Sequence, residues 1–289
     1  MRNIPFMRLR FYAYAVSLLL VILSLLSLYY KGLNLGLDFT GGSVLELKFE
    51  KKISISQVRK TLEELRYSHF QVQDTAQGSI LIKLRLGDTA ERALEGLKKL
   101  STYQLLRSET IGGIITSELR HKALWAILIA LVGILIYLGY RFEALWALGA
   151  ILALVHDVLI VVGAYSITQR EVSLDVVAAL LIVAGYSVSD TVVVFDRIRE
   201  NARIRKGTPL RELIDLSINQ TLARTLMTSL TTLVVSFTLF LFGGPALSNI
   251  MFAFVVGVVV GTLSSIFVAS ALTLDIKTRL KARTVHHAG

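Results

Sequence analysis

Three long apolar stretches of this sequence carry residues that lipid rejects: His156-Asp157, Asp190 and Arg224. A charge at bilayer depth costs on the order of 3 kcal/mol or more, so such residues face a protein interior or a water path. A buried carboxyl and a guanidinium are the parts of a proton relay. Burial disfavours a charged carboxylate, and a nearby arginine favours it. The charge on Asp190 therefore depends on whether Arg224 is close. A helix shift that separates them promotes proton uptake, and their reunion expels the proton. One charge crossing 100 mV supplies about 2.3 kcal/mol, enough to bias a two-state equilibrium. Ser187 and Thr191 flank Asp190. Thr228 and Thr231 follow Arg224 on the same helical face. Two plainer readings stand beside this one. The pair could be a structural ion pair that fixes helix register, or Arg224 could snorkel to the interface. For His156 and Asp157 the structural and proton-pathway readings are equally open.

These residues need membrane helices to position them. The chain has 54% apolar and 18% charged residues and a mean hydropathy of +0.62, a balance that favours a membrane protein. A spanning helix takes about 20 mostly apolar residues. Six stretches qualify: Phe11–Tyr29, Ala123–Leu138, Ala144–Ile167, Val176–Phe195, Leu222–Phe242 and Ile250–Leu274. The first has the basic lead of a signal peptide, yet it ends in Tyr29-Tyr30-Lys31, an interfacial anchor, and reads as a retained span. With these limits, and helix five starting near Asn219, Asp190 and Arg224 share one depth, roughly 7 Å inside their helix ends. Asp157 lies roughly 21 Å from its own end, an offset of roughly 13 Å. An intramembrane aspartyl protease needs two carboxylates at one level sharing a proton, so the offset speaks against it. Gly257 and Gly261 form a GxxxG in span six, a mark of close helix packing, and Gly185 has the same reading in span four.

Lysine and arginine collect before span one, between spans two and three, between spans four and five, and after span six. Both termini are therefore expected in the cytoplasm. The net charge of +10 reads as topology, not nucleic-acid binding. The basic residues after span six form a tail over 276–289.

Residues 31–120 lie between spans one and two and are expected outside the cytoplasm. They carry 14 basic and 11 acidic side chains, an ordinary soluble surface. Ser43–Glu50 alternates as a half-buried strand does. Ser54 and Gln57 form a capping box for a helix to about Tyr67. Phe70–Thr75 is a strand, Gln77-Gly78 a turn, and Ser79–Leu86 another strand. A helix capped by Asp88 or Thr89 runs to about Leu100, and Tyr103–Ile111 is the last strand. This β-α-β-β-α-β order predicts a ferredoxin-like sandwich. The fold class is thus an α-helical polytopic membrane protein of six transmembrane helices, with an α+β ferredoxin-like extracytoplasmic domain between helices one and two. No nucleophile–base pair, phosphate loop or metal cluster is evident. Lone His69 reads as a surface or half-buried histidine. There is no cysteine, so no disulfide or thiolate metal site. No cofactor, metal or enzymatic activity is expected.

Three segments resemble the SecD/SecF family, on its SecF side. Gly36-Leu37-Asp38-Phe39-Thr40-Gly41-Gly42 is similar to the family's DFTGG motif. Ala184-Gly185-Tyr186-Ser187-Val188-Ser189-Asp190-Thr191, continuing to Asn201, resembles its most specific motif. Asn219-Gln220-Thr221-Leu222-Ala223-Arg224-Thr225 resembles the next. Ser189 stands where many members have Asn, and Glu109-Thr110-Ile111-Gly112-Gly113 has glycine where proline is common. The family belongs to the resistance-nodulation-division superfamily. The resemblance implies that Asp190 and Arg224 lie on a proton pathway with Thr228 nearby. It implies a bacterial inner-membrane complex with SecD, each subunit giving one six-helix half. It also implies work beside the SecYEG channel and SecA, in which proton flow pulls or retains the emerging preprotein. A small-molecule or lipid exporter of the same superfamily is the alternative, but one domain of this size leaves little room for its cleft. For Asp38, a turn or cap role and a direct role in transmission are both open.

Overall fold

The computed structural model describes residues 4–67, 70–75, 78–85 and 87–286, with side chains to residue 280. His69 and Gln77 lie outside the described residues. Six helices are long and apolar enough to cross a membrane: Arg10–Tyr30, Gly113–Arg141, Ala144–Thr168, Leu174–Ile204, Leu210–Phe242 and Gly244–Leu280. They are called spans one to six. The chain forms two compact units.

The first unit holds residues 1–34, 127–170 and 175–289. Spans three, four and six are its inner helices, and spans one, two and five present most of their surface outward. Small residues allow the close approaches. A Cβ on Gly257 would sit 2.2 Å from Val183 Cγ1, and one on Gly261 would sit 3.0 Å from Ser187 Cβ. Span six therefore lies against span four along the expected GxxxG. Gly185 does not play this part, since a Cβ there would meet nothing within 4 Å in this chain.

Helix limits depart from the hydropathy limits. Span four runs nine residues past Phe195, to Ile204. Span five starts at Leu210, directly after Pro209, not near Asn219. Span two starts at Gly113. Hydropathy marks where lipid ends, whereas a helix continues until its backbone is broken. The extensions past Phe195 and before Leu222 are polar and held by side chains. Asn201 Nδ2 donates to Ser217 Oγ and to Gln220 Oε1, both at 2.8 Å. Arg197 Nε donates to Gln220 Oε1 at 2.7 Å. Asn219 also pairs with the backbone of Ile4, accepting at 3.0 Å and donating at 2.9 Å. Met7 N–H donates to Asp215 Oδ1 at 2.8 Å.

The second unit holds residues 35–126 and 171–174. Strands β1 (Gly42–Phe49), β2 (Phe70–Asp74), β3 (Ile80–Arg85) and β4 (Tyr103–Ile111) form one antiparallel sheet in the order β2-β3-β1-β4. Helices α1 (Ile55–Glu64) and α2 (Ala90–Lys98) complete the expected β-α-β-β-α-β order. Alternation works as anticipated: Leu45 and Leu47 of β1 and Ile80, Ile82 and Leu84 of β3 are buried. They share a core with Val58 and Leu62 of α1 and Ala93 and Leu97 of α2. The capping box is present: Ser54 Oγ accepts from Gln57 N–H at 3.3 Å, and Gln57 Oε1 accepts from Ser54 N–H at 3.0 Å. Ser54→Ala is expected to lower the stability of this unit by about 1 kcal/mol, read from the thermal unfolding midpoint of the purified chain.

Candidate functional site

Position along the helices organises the membrane unit. Asp157 lies 13 residues from the start of span three at Ala144. Asp190 lies 14 residues from the end of span four at Ile204, and Arg224 14 residues from the start of span five at Leu210. Each residue therefore sits about 20 Å along its own helix from that helix end at ~1.5 Å per residue. Asp190 and Arg224 keep matching positions near the middle of their helices, and Asp190 remains five residues short of Phe195, where the apolar run ends. The expected offset of Asp157 is wrong.

Contact confirms the level. Asp157 is 1% exposed. Its Oδ2 accepts from Ser187 Oγ of span four at 2.5 Å, and its Oδ1 is 2.8 Å from His156 Nδ1. Ser187 is one helical turn from Asp190. A separation of about one turn weakens the depth objection to an aspartyl dyad. A dyad, however, shares one proton between touching carboxylates. Here both oxygens of Asp157 are engaged by Ser187 and His156 instead.

Asp190 is 7% exposed, and its Oδ2 is buried without a hydrogen-bond partner among the described residues. Arg224 is the charged side chain that acts on it electrostatically. No ion pair joins the two among the described residues. This carboxyl is thus buried, under the influence of a guanidinium, and unbonded at one oxygen. That arrangement leaves room for a proton to come and go.

Span five divides into two faces. Arg224, Thr228 and Thr231 are exposed. The hydroxyl of Thr228 donates to the carbonyls of Arg224 at 3.1 Å and Thr225 at 2.9 Å. The inward face carries Ser217, Thr221, Thr225, Ser229 and Ser236. Thr225, not Thr228, is the buried threonine here, and its hydroxyl has no partner among the described residues. Ser229 Oγ is 2.7 Å from Thr262 Oγ1 of span six and accepts from Tyr186 OH of span four at 3.0 Å. Sequence reasoning missed this hydroxyl layer. The signal was available: hydroxyl residues recur at helical spacing while Leu226, Met227, Leu230 and Val234 face outward. A spanning helix that buries hydroxyls packs by small size and interhelical hydrogen bonds. Beside this layer, span six holds a π-helical segment over Ser265–Ala269. There Ser270 Oγ donates to the Ser265 carbonyl at 3.0 Å. Such bulges often mark functional sites.

The remaining candidates belong to the second unit. Asp38 Oδ2 accepts from Leu174 N–H at 3.0 Å. Phe39 and Thr40 line a pocket with Leu35, Arg85 and Arg120. Thr40 Oγ1 donates to the Gly36 carbonyl at 3.1 Å. Gly41 and Gly42 adopt positive φ of 70° and 138° and turn the chain into β1. Among the described residues, no group of histidines and carboxylates could hold a metal.

The chain is similar to known proteins. Residues 90–279 match the family described as "Protein export membrane protein SecD/SecF, C-terminal", and residues 28–53 match "SecD/SecF GG Motif". The chain is 41% identical over 292 residues to the protein translocase subunit SecF of Calditerrivibrio nitroreducens, covering 96% of each chain. It is 41% identical to SecF of Haemophilus influenzae, covering 95% of this chain and 86% of that one. It resembles the crystal structure of SecDF, a translocon-associated membrane protein from Thermus thermophilus, with a TM-score of 0.85 and 40% identity. That match covers 96% of this chain and 39% of the other, so the chain spans about two fifths of the SecDF chain.

Proposed function

The chain belongs to the SecD/SecF family of protein-export membrane proteins as a SecF-type translocase subunit, and from that premise we propose that it couples proton flow to preprotein translocation. One observation carries the reading: Asp190 is a buried carboxyl inside a spanning helix with one unbonded oxygen, under the field of Arg224 at the matching position of span five. Protonation of Asp190 weakens its attraction to Arg224 and permits one arrangement of spans four and five. Deprotonation favours the other. Ser187, Thr225 and the Tyr186–Ser229–Thr262 hydroxyls give the protons polar company through an otherwise apolar interior. Asp157 and His156 form a second ionisable pair one turn away.

Arg224, Thr228 and Thr231 form an exposed polar face within the apolar run of span five. Lipid does not cover an arginine at that depth without large cost, so a second protein half covers it. SecD supplies that half in this reading, as the two-fifths share of the SecDF chain suggests. The complex works non-enzymatically in the bacterial inner membrane beside SecYEG and SecA. Both termini are cytoplasmic, and the α/β domain lies on the outer side, where it holds or pulls the emerging chain.

The test is Arg224→Met in a complex purified with SecD. The expected result is normal assembly, with the export that depends on a proton gradient reduced at least tenfold and gradient-independent export unchanged. A scaffold that merely steadies the channel would keep its gradient response in this variant.

A further inference from the structure

The soluble unit does not end with span two. It also includes Glu171–Leu174, the segment that leads into span four. Several ties hold that segment. Gly36 N–H donates to the Val172 carbonyl at 2.8 Å. Lys83 of β3 forms an ion pair with Glu171. Asp38 Oδ2 accepts from the N–H of Leu174, the first helical residue of span four, at 3.0 Å. The first N–H groups of a helix have no partner within it, and a carboxylate there also meets the positive end of the helix dipole. Asp38 answers both needs. Gly36 leaves the space: a Cβ there would lie 2.9 Å from Glu171 Oε1 and 3.2 Å from the Val172 carbonyl oxygen.

From these ties we infer that the DFTGG segment is a strap by which the soluble domain grips the outer end of the proton-site helix, with Asp38 as its positioning residue. Leu174 and Asp190 belong to one helix of 31 residues. A rotation or shift of span four at Asp190 is therefore delivered along that helix to Leu174, and through Asp38, Gly36 and Glu171 to the domain. Gly41 and Gly42 follow at once and turn the chain into β1, the strand bonded to both β3 and β4. The strap thus enters the sheet at a central strand, where a displacement is shared by its neighbours. Sequence order alone hangs the domain from spans one and two and would route any proton event through helix packing. The strap adds a direct path. It rests on the proton-coupled reading above.

The experiment separates the two ideas. The complex with SecD is reconstituted with one reporter cysteine at Lys51 on the domain surface, in a chain that has no cysteine of its own. Its labelling rate is measured with and without an imposed proton gradient. The expected result is a gradient-dependent rate in the unmodified complex that falls about fivefold in Asp38→Ala, the order of effect of losing one helix cap. Asp38→Asn retains the response, because an amide oxygen accepts the same bond. The exchange Lys83→Glu with Glu171→Lys restores the response that either single change lowers, which keeps the test open should the alanine variant fail to assemble. A normal response in an assembled Asp38→Ala complex, with none in Asp190→Asn, overturns the strap and leaves proton coupling standing. A normal response in Asp190→Asn overturns proton coupling, and the strap's role with it.

Discussion

Asp190→Asn is expected to abolish the gradient-dependent part of export while the complex with SecD still assembles. The asparagine side chain has nearly the shape of the aspartate and fits the same buried place beside Ser187 and Thr191. It keeps an oxygen, but it cannot alternate between charged and neutral. The protein then loses the only means by which Asp190 exchanges its attraction to Arg224 for a proton. A charge moved through 100 mV is worth about 2.3 kcal/mol, which corresponds to a roughly 50-fold shift of a two-state equilibrium. Removing that term should lower the gradient-stimulated increment of preprotein export at least tenfold. Export in reconstituted vesicles, with the gradient imposed or collapsed, measures it. Undiminished stimulation in the variant would refute the coupling role of this residue.

Gly42→Ala is expected to give the largest loss of stability in the soluble unit. Gly42 has φ +138°, and a Cβ there would sit 2.0 Å from the Leu84 carbonyl oxygen. The obstruction is backbone, fixed from two sides: Gly42 pairs with Arg85 of β3 and with Ile111 of β4. Neither neighbour can give way without breaking the register of a central strand. Backbone strain and overpacking each cost about 1–3 kcal/mol, so the sum is on the order of 3 kcal/mol or more. Domains are typically stable by only about 5–15 kcal/mol. Gly87→Ala separates the two causes. Gly87 also has positive φ, +101°, but a Cβ there would meet nothing within 4 Å, so only backbone strain applies. Thermal unfolding of both variants should show a clearly larger drop in midpoint for Gly42→Ala. Equal drops would mean that the crowding at Leu84 relaxes without consequence.

Much of this protein is written in short-range patterns. Alternation in Ser43–Glu50 and Ser79–Leu86 marked two strands, and Ser54 with Gln57 marked a helix start. These signals act over two to four residues, which is the range of side-chain periodicity and capping. Six apolar runs marked six spans, because lipid demands length and composition that nothing soluble mimics. Asp190, Arg224, Asp157 and His156 were conspicuous for the same reason: each is expensive where it stands.

Other features needed the folded chain. Where span four ends is decided by Asn201, Ser217 and Gln220 bonding across the hairpin, not by hydropathy, and the bond from Ser187 brought Asp157 within about a turn of Asp190. Thr228 shares a helical face with Arg224, as its spacing said, but which face points inward is settled by packing against span six. That choice buried Thr225 and left Thr228 outside. Asp38 was open between a cap and a part in transmission. It caps a helix that begins 136 residues later, at Leu174, and thereby gains a hold on the helix of Asp190. The sequence by itself determined the number of crossings, the order of the soluble domain and the identity of the ionisable residues, since each depends on local pattern or on the cost of burying charge. Tertiary structure alone decided helix limits, facing and connection to span four, since these depend on contacts between residues that no local periodicity relates.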